Sequence, residues 1–494
     1  MSKATPCRTG PGALIMDRRM TVNELVSLVV QSESLGGVVR LVGDGTCIVR
    51  DVTHDSARVV DGSVFCCVVG DRHDGHEFAQ AAIAQGAACV VVQRELNVAV
   101  PQIVVSDSRR AAGIFAAAFH AWPSDRLRVV GVTGTNGKTT SAHLLAAILH
   151  QAGLDTAILG TLSGARTTPE ATDLQRMMAG FVRDGKKALV MEVTSHALAL
   201  DRVVGTRFDV SVFTNLSKDH LDFHGTEERY FAAKARLFAP DLSERGVINR
   251  DDVHGRLLLD SATIPCTSFG LDDVRDVEVT ARHHSYSWRG HAIRVPLGGR
   301  FNVWNSIGAA TAASELGVSD AAIATGLSLA KPVPGRFEIV EAGNDVAVIV
   351  DYAHDASSLA RVIESARESS APGIGVVVVF GCGGERDVLK RPEMGAVAAA
   401  LADAVVITND NPRGEDPQMI ASSIVSGIAD EHRSKLVAIE LDRRRAIECA
   451  LDFARSGDVV IVAGKGHEST QTIGDTVAPF NDAQIVREIV GSRT

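Results

Sequence analysis

Leu127-Arg128-Val129-Val130-Gly131-Val132-Thr133-Gly134-Thr135-Asn136-Gly137-Lys138-Thr139-Thr140 is the stretch on which the fold of this chain turns. Its apolar, β-branched opening predicts a strand over 127–132, and the pattern after the glycines predicts a helix from about 139 to 152. A strand that runs into a glycine-rich turn with a lysine and then opens a helix is the setting of a phosphate-binding loop. Glycines let backbone amides approach phosphate oxygens, and the helix N-terminus adds a favourable dipole. On this reading Lys138 stands near the β- and γ-phosphates, and the Thr139 hydroxyl faces Mg2+. The spacing is the short Gly-Thr-Asn-Gly-Lys-Thr-Thr form, because Val132 stands where the longer loop has its first glycine.

Outward from the loop, further strands are predicted at 157–159, 188–193 and 210–214, with helical stretches between them. Strands alternating with helices predict a parallel, doubly wound sheet. Upstream, Thr21 with Glu24 three residues on reads as a capped helix start. The run 63–69, a helix at 78–85 and a strand at 88–93 make a small α/β domain ending near 124. Downstream, Lys331-Pro332-Val333-Pro334-Gly335-Arg336 is a Pro/Gly break. Strands at 346–350, 375–380, 404–408 and 459–462 follow it. The expected architecture is therefore α/β in three domains: 1–124, 125–335 and 336–494. Residues 1–20 are expected to be a disordered extension, since Met16 and Met20 directly precede the first helical pattern.

Size and composition agree with this division. A chain of 494 residues exceeds one core and suggests domains of roughly 150 residues each. Hydrophobic residues at 45% with 22% charged indicate a globular protein. The net charge of -10 argues against nucleic-acid binding, because no basic excess is available to neutralise a phosphate backbone. The 8 cysteines form no C-x-x-C pair and read as reduced thiols of a cytoplasmic protein. The N-terminal stretch lacks the apolar core of a secretory signal, and no run is long enough to span a membrane. No repeat is evident.

In open parallel sheets ligands bind beyond the carboxyl ends of strands. Glu192, at the end of the 188–193 strand, and His220, just beyond the 210–214 strand, fall there. A hard cation takes oxygen ligands. Either residue alone would be unremarkable, but their placement after neighbouring strands makes them candidates to complete a metal site with Thr139.

Beyond about residue 20 the sequence resembles the Mur ligases of peptidoglycan synthesis. The resemblance is carried by ordered blocks that include 133–140, Thr167-Thr168-Pro169, 192–198, 215–225, 230–238, 301–305, 334–338, 351–354, 381–392, Asp410-Asn411-Pro412-Arg413 and 464–468. It implies a uridine-nucleotide domain, a central ATPase domain and a Rossmann-like domain for the incoming amino acid. The implied reaction is ATP-dependent. Phosphoryl transfer turns a carboxylate into an acyl-phosphate, which an amine attacks to form an amide. Within the family the closest resemblance is to members that add the third amino acid to UDP-N-acetylmuramoyl-L-alanyl-D-glutamate, at the γ-carboxylate of D-glutamate.

The resemblance also implies roles for single residues. Lys234 matches a lysine that is carbamylated by CO2 and helps hold magnesium; without the resemblance it would read as a surface helix lysine. Gly134, Thr135, Asn136, Gly137, Lys138, Thr139 and Thr140, with Asn305, Arg336 and Asp351, match ATP contacts. Lys138, Lys234 and His220 are the implied catalytic groups. Ser56, Asp71, Arg72 and His73 match the uridine end, and Thr167, Thr168, Thr194 and Arg202 match the nucleotide-peptide. Asp410-Asn411-Pro412-Arg413 accompanies meso-diaminopimelate as the amine. A guanidinium binds a carboxylate bidentately, so Arg413 and Arg386 suit its second carboxylate, with Asn411, Gly464 and Glu468 completing the pocket. Glu468 suits an ammonium. A cytoplasmic monomer with small-molecule substrates is implied.

Four positions depart from the commonest family pattern. Ala57 stands where arginine is usual, Arg166 where asparagine is frequent, Leu200 where glutamine often contacts substrate, and Asp355-Ala356-Ser357 replaces Thr-Pro-Asp. Three of them lie in nucleotide-peptide regions and bear on the acceptor. They leave room for a paralogous ligase with another acceptor or amine, such as lysine or a substrate of secondary metabolism. A nucleotide-binding regulator without catalysis is disfavoured by the joint presence of Lys138, Thr139, Glu192, His220 and Lys234. Folylpolyglutamate synthetases share the loop type but not the Asp-Asn-Pro-Arg segment.

Overall fold

A computed structural model describes residues 19–32, 34–70, 73–164, 166–341, 346–371 and 373–492. Asp71, Arg72 and the extension expected over 1–20, apart from its last two residues, lie outside them. The chain forms two compact units: Met1–Arg128 with Thr168–Lys187 and Ala197–Arg207, and Val129–Thr167 with Ala188–His196 and Phe208–Thr494. Among the described residues no helix is long and apolar enough to cross a membrane.

In the first unit a five-stranded sheet runs in the order Arg40–Val42, Gln102–Val104, Ala87–Val92, Ser63–Cys66, Asp51–Thr53. Only the Arg40–Val42 edge is antiparallel. The helix Val22–Gln31 starts as the sequence predicts. Thr21 Oγ1 accepts from Glu24 N at 3.2 Å, and Thr21 N donates back to Glu24 Oε2 at 2.7 Å. The predicted run 63–69 is a continuous strand only over Ser63–Cys66, with Val69 in an isolated bridge to Asp74, and the predicted helix 78–85 is the 3-10 turn Gly75–Phe78 followed by Ala79–Ala84. Asp74 causes the early start, since its carboxylate accepts from His76 N.

The second unit holds two large sheets. The first orders its strands Cys266–Phe269, Gly246–Asn249, Val210–Phe213, Arg128–Thr133, Ala188–Glu192, Thr156–Leu159. Its registered pairings are parallel. Val130, Val132, Val190, Val210 and Val212 are buried against the helices Lys138–Gln151 and Phe301–Glu315. Every residue of Val129–Thr133, Ala188–Glu192 and Val210–Phe213 is buried, including the alternate ones that face away from these helices, as in a parallel sheet covered on both faces. An antiparallel sheet of Val274–Val279, His284–Trp288 and His291–Val295 follows.

The second large sheet orders its strands Glu338–Glu341, Ala347–Asp351, Val459–Ala463, Val376–Phe380, Ala404–Ile407, Leu436–Ile439. All its pairings are parallel except that of the Glu338–Glu341 edge. The sequence reading did not anticipate that edge, the antiparallel sheet, or the strands Gly246–Asn249 and Cys266–Phe269.

Candidate active site

The loop after Arg128–Thr133 opens the helix Lys138–Gln151 with Gly137 in the left-handed region at φ 85°. A Cβ on Gly137 would collide with Asn305 Oδ1, and one on Gly134, at φ 148°, with the Thr214 hydroxyl. Only glycine leaves the backbone free at both points. Asn215 anchors the turn from the neighbouring strand end, accepting from Asn136 N at 3.0 Å. Lys138 Nζ folds back onto Gly134 O at 2.9 Å and Thr135 O at 2.7 Å.

Glu192, 2% exposed, closes the other side. Its Oε2 accepts from the Thr139 hydroxyl at 3.0 Å and the Thr161 hydroxyl at 3.1 Å, and its Oε1 accepts from Thr161 N at 2.8 Å. Arg336 Nη2 donates to Thr139 Oγ1 at 3.2 Å, with its guanidinium 4.6 Å from the Tyr352 ring centroid. Asp351 accepts from Phe337 N at 2.7 Å and Ala353 N at 2.8 Å, which fixes the chain on either side of that ring.

Lys234 sits in the helix Glu227–Ala235 and is 1% exposed. Its Nζ donates to Gly134 O at 2.8 Å and lies 4.6 Å from the Tyr230 ring centroid. Burial and the neighbouring Lys138 charge hold its ammonium well below the usual lysine range. The Tyr230 hydroxyl is 3.0 Å from Thr135 Oγ1, so this helix and the phosphate loop are tied by two hydrogen bonds. His220 adopts φ 53° just before the short helix Leu221–His224, with its ring edge-on to His196 at 4.8 Å. Partial burial lowers its pKa; Asp219 opposes this, and Lys138 and Lys234 add to it.

The loop residues from Thr135 to Thr139, with Glu192, His220, Arg336, Asp351 and Tyr352, line one cavity of about 520 Å³. Thr167 and Thr194 reach it too, and the Thr167 hydroxyl lies 3.2 Å from that of Thr161. The same cavity is lined by Phe269, Asp251, Trp304, Phe301 and Arg300, none of which the sequence singles out as a site residue. Trp304 Nε1 donates to Asp251 Oδ2 at 2.8 Å. Asp219, Tyr352 and His354 are further lining groups, inside the blocks 215–225 and 351–354 but not singled out there. Among the described residues Asn136 Nδ2 and Arg336 Nε are buried donors with no hydrogen-bond partner.

The second group of candidates gathers at strand ends of the C-terminal sheet. Asn411 Nδ2 donates to Glu468 Oε2 at 2.8 Å, and Gly464 N donates to Asp351 O at 3.1 Å. Arg413 sits at φ 52°, its Nη1 donating to Gly384 O at 2.6 Å. Arg386 is exposed nearby; a Cβ on Gly383 would lie 3.2 Å from Arg413 Nη1 and 3.6 Å from Arg386 Cγ. Pro412 turns the segment, its carbonyl accepting from Glu415 N at 3.1 Å. Burial pushes the Asp410 carboxyl up, against the opposing charges of Arg443 and Lys465. Arg443 is itself wholly buried with Asp482 at 2.7 Å, and donates to Asn409 O at 3.1 Å and Ala463 O at 2.9 Å.

The remaining candidates lie in the first unit. Ser56 begins a short 3-10 turn capped by Asp55. His73 is exposed, edge-on to Phe78 at 6.1 Å. Thr168 is buried, and Arg202 pairs with Glu170 at 3.0 Å. The described cysteines, Cys47, Cys66, Cys67, Cys89, Cys266, Cys382 and Cys449, are free thiols. Burial pushes Cys67 and Cys382 up to about 12, as expected of inert packing groups.

The chain is similar to known proteins in sequence and in fold. Family models match for the Mur ligase middle domain over residues 132–313, the Mur ligase glutamate ligase domain over 335–466, and the Mur ligase family catalytic domain over 49–121. The chain is 41% identical over 465 residues to the UDP-N-acetylmuramoyl-L-alanyl-D-glutamate--2,6-diaminopimelate ligase of Syntrophomonas wolfei, covering 90% of this chain and 94% of that one. It is 42% identical to the protein of the same name from Geobacillus kaustophilus, over 89% and 94% of the two chains. A solved structure of a ligase of that name superposes with a TM-score of 0.67 at 30% identity, covering 96% of this chain and 99% of that one. MurF from Acinetobacter baumannii, at 21% identity and a TM-score of 0.63, shares the fold. A three-domain α/β fold, a glycine-rich loop opening into a lysine-lined cleft, and identity sustained over nine-tenths of the chain lead to one conclusion: the chain belongs to the Mur ligase family, and it is an ATP-dependent, amide-bond-forming ligase of peptidoglycan synthesis.

Proposed function

We propose that this ligase adds meso-diaminopimelate to the D-glutamate γ-carboxylate of UDP-N-acetylmuramoyl-L-alanyl-D-glutamate through an acyl-phosphate. The observation that carries the reading is the pair of unpartnered buried donors, Asn136 Nδ2 and Arg336 Nε, in the same cleft as Lys138 and Glu192. Buried donors without partners are rare in native proteins, and phosphate oxygens are the acceptors that this cleft is built to take. The carboxylate is a poor electrophile, and phosphorylation supplies a leaving group. Lys138 and Arg336 offset charge on the transferring phosphoryl group, a positional and electrostatic task. Thr167, Thr168, Thr194 and Arg202 are assigned to the nucleotide-peptide, and Ser56, Asp71, Arg72 and His73 to its uridine end. Asn305 and Asp351 border ATP.

Magnesium suits the donor set of Thr139, Glu192 and His220. Among the described residues no three of His, Cys, Asp and Glu cluster as a metal site; phosphate and, once Lys234 is carbamylated, its carbamate would supply further oxygens. Lys234 fits carbamylation: a buried, charge-crowded amine is held toward the neutral form that reacts with CO2. When bound, the cation neutralises phosphate charge.

The amine specificity rests on Asp410-Asn411-Pro412-Arg413 with Arg386, Gly464 and Glu468, and on relatives named for diaminopimelate. Residues 1–124 then hold the nucleotide, 125–335 the ATPase, and 336–494 the amino acid, in a cytoplasmic monomer. Ala57, Arg166 and Leu200 favour a second reading, a ligase of the same chemistry with another acceptor. Incubation with ATP, magnesium, UDP-N-acetylmuramoyl-L-alanyl-D-glutamate and either diaminopimelate or lysine, with phosphate and tripeptide measured, separates the readings. Tripeptide with diaminopimelate is expected. Product with lysine alone overturns the amine assignment, and no turnover with either while ATP binds favours the other acceptor.

A further inference from the structure

Lys465 follows the strand Val459–Ala463, and its side chain is 0% exposed. Its Nζ donates to Glu468 Oε2 at 2.8 Å and Asn411 Oδ1 at 3.2 Å, and lies 3.5 Å from Asp410 Oδ1. A buried ammonium is tolerated where its charge and protons are met, and here two oxygens accept hydrogen bonds and the Asp410 carboxylate adds a third, ionic contact. All three belong to the group assigned to the amine pocket. Asn411 Nδ2 donates to the same Glu468 oxygen at 2.8 Å, and Asn411 Oδ1 also accepts from Thr472 N at 2.9 Å. Glu468 is thus gripped through one oxygen by two neighbours that are themselves held. Among the described residues its Oε1 accepts no hydrogen bond.

The charges give the same result. Asp410 and Glu468 bring two carboxylates, and Lys465 brings one ammonium. Arg443 is matched by its own partner, Asp482. Among these groups one negative charge is left over; the Arg413 and Arg386 guanidiniums are assigned to the substrate's second carboxylate. Burial opposes ionisation of Glu468, but the Lys465 charge, the hydrogen bonds from Lys465 and Asn411, and His467 hold it below the usual carboxylate range.

We propose that Lys465 is a specificity-determining positioning residue, which fixes Glu468 and Asn411 so that one carboxylate oxygen and one unit of negative charge are presented to the second, non-reacting ammonium of a diamino acid. This rests on the amine-pocket reading above. Lys465 touches no substrate; it acts through Glu468. An amino acid that lacks the second amino group leaves Glu468 Oε1 desolvated without a partner, and is rejected for that reason.

The test is steady-state amide formation by the full-length enzyme with diaminopimelate and with 2-aminopimelate, which lacks only the second amino group, at saturating ATP and acceptor. For Lys465→Gln the KM for diaminopimelate should rise about tenfold or more, the scale of a lost charge-assisted hydrogen bond. The preference over 2-aminopimelate should shrink by a similar factor, with the KM for ATP unchanged. Lys465→Arg should keep most of the preference. Asn411→Leu, which cuts the other anchor of Glu468, gives a second route should Lys465→Gln fail to fold, and should also erode it. Equal losses for both amino acids, or equal behaviour of the Arg and Gln variants, overturn the proposal. A wild-type enzyme that uses lysine but not diaminopimelate overturns the substrate reading alone, and the comparison then runs between lysine and norleucine with the same expectations.

Discussion

The Thr139 hydroxyl donates to Glu192 Oε2 over 3.0 Å, joining the first turn of the loop helix to the end of the adjacent strand. Thr161 N holds the other carboxylate oxygen at 2.8 Å, so Glu192 is aimed from two sides. Glu192→Ala should lower kcat about a hundredfold or more, the scale of lost electrostatic preorganisation. ATP affinity, measured by equilibrium binding, should change far less. A loss confined to binding would show that Glu192 only shapes the cleft.

Tyr230 ties the Lys234 helix to the loop through Thr135. Tyr230→Phe keeps the ring under Lys234 and removes only the hydroxyl. It should cost about 1 kcal/mol in denaturant unfolding, the usual worth of one buried hydrogen bond. The KM for ATP should rise several-fold. An unchanged KM for ATP would mean that the Lys234–Gly134 bond alone sets the loop.

Arg443 and Asp482 form a fully buried pair. Removing one partner strands the other charge, so Arg443→Met should destabilise by about 3 to 5 kcal/mol. Arg443→Met with Asp482→Leu should recover much of that loss. Urea unfolding of the single and double variants checks this. No recovery would assign the loss to the carbonyls of Asn409 and Ala463, which Arg443 also serves.

His284 is buried, with Nδ1 2.7 Å from Leu297 O, and burial lowers its pKa from 6.5 to about 4. Above pH 6.5 it is neutral folded or unfolded and contributes no pH dependence. Between 6.5 and 4 the unfolded chain takes up the proton and the folded chain does not, so stability falls as pH falls. The total is about 3 kcal/mol, from about 1.4 kcal/mol per unit. In His284→Gln the fall in unfolding free energy between pH 7 and pH 4 should be smaller by that amount. Parallel curves for the two proteins would refute it.

The phosphate loop was readable because its chemistry is local: strand, glycines, lysine and helix lie within fourteen successive residues, 127–140. The valine-rich strands beside it announced themselves by composition. Gly246–Asn249 and Cys266–Phe269 did not, being four residues each with glycine or polar members. Val274–Val279 is largely exposed and charged, and only its antiparallel partners make it a strand. The site divides in the same way. Lys234 looks like a surface lysine on a helix, and its burial follows from a loop a hundred residues earlier. Trp304 and Asp251 meet only in space. Lys465 reads as one residue of a glycine-rich turn until the chain brings Asn411 and Asp410 around it.

Arg413 holds its guanidinium in place from a backbone at φ 52°. That conformation costs a side-chain-bearing residue about 1 to 2 kcal/mol that glycine is spared. Selection for thermal robustness alone would therefore drift toward glycine here, and selection for turnover would resist it. The position should show up in any mutational library as a trade-off, with Arg413→Gly relieving the backbone, giving up the bond to Gly384 O, and working worse.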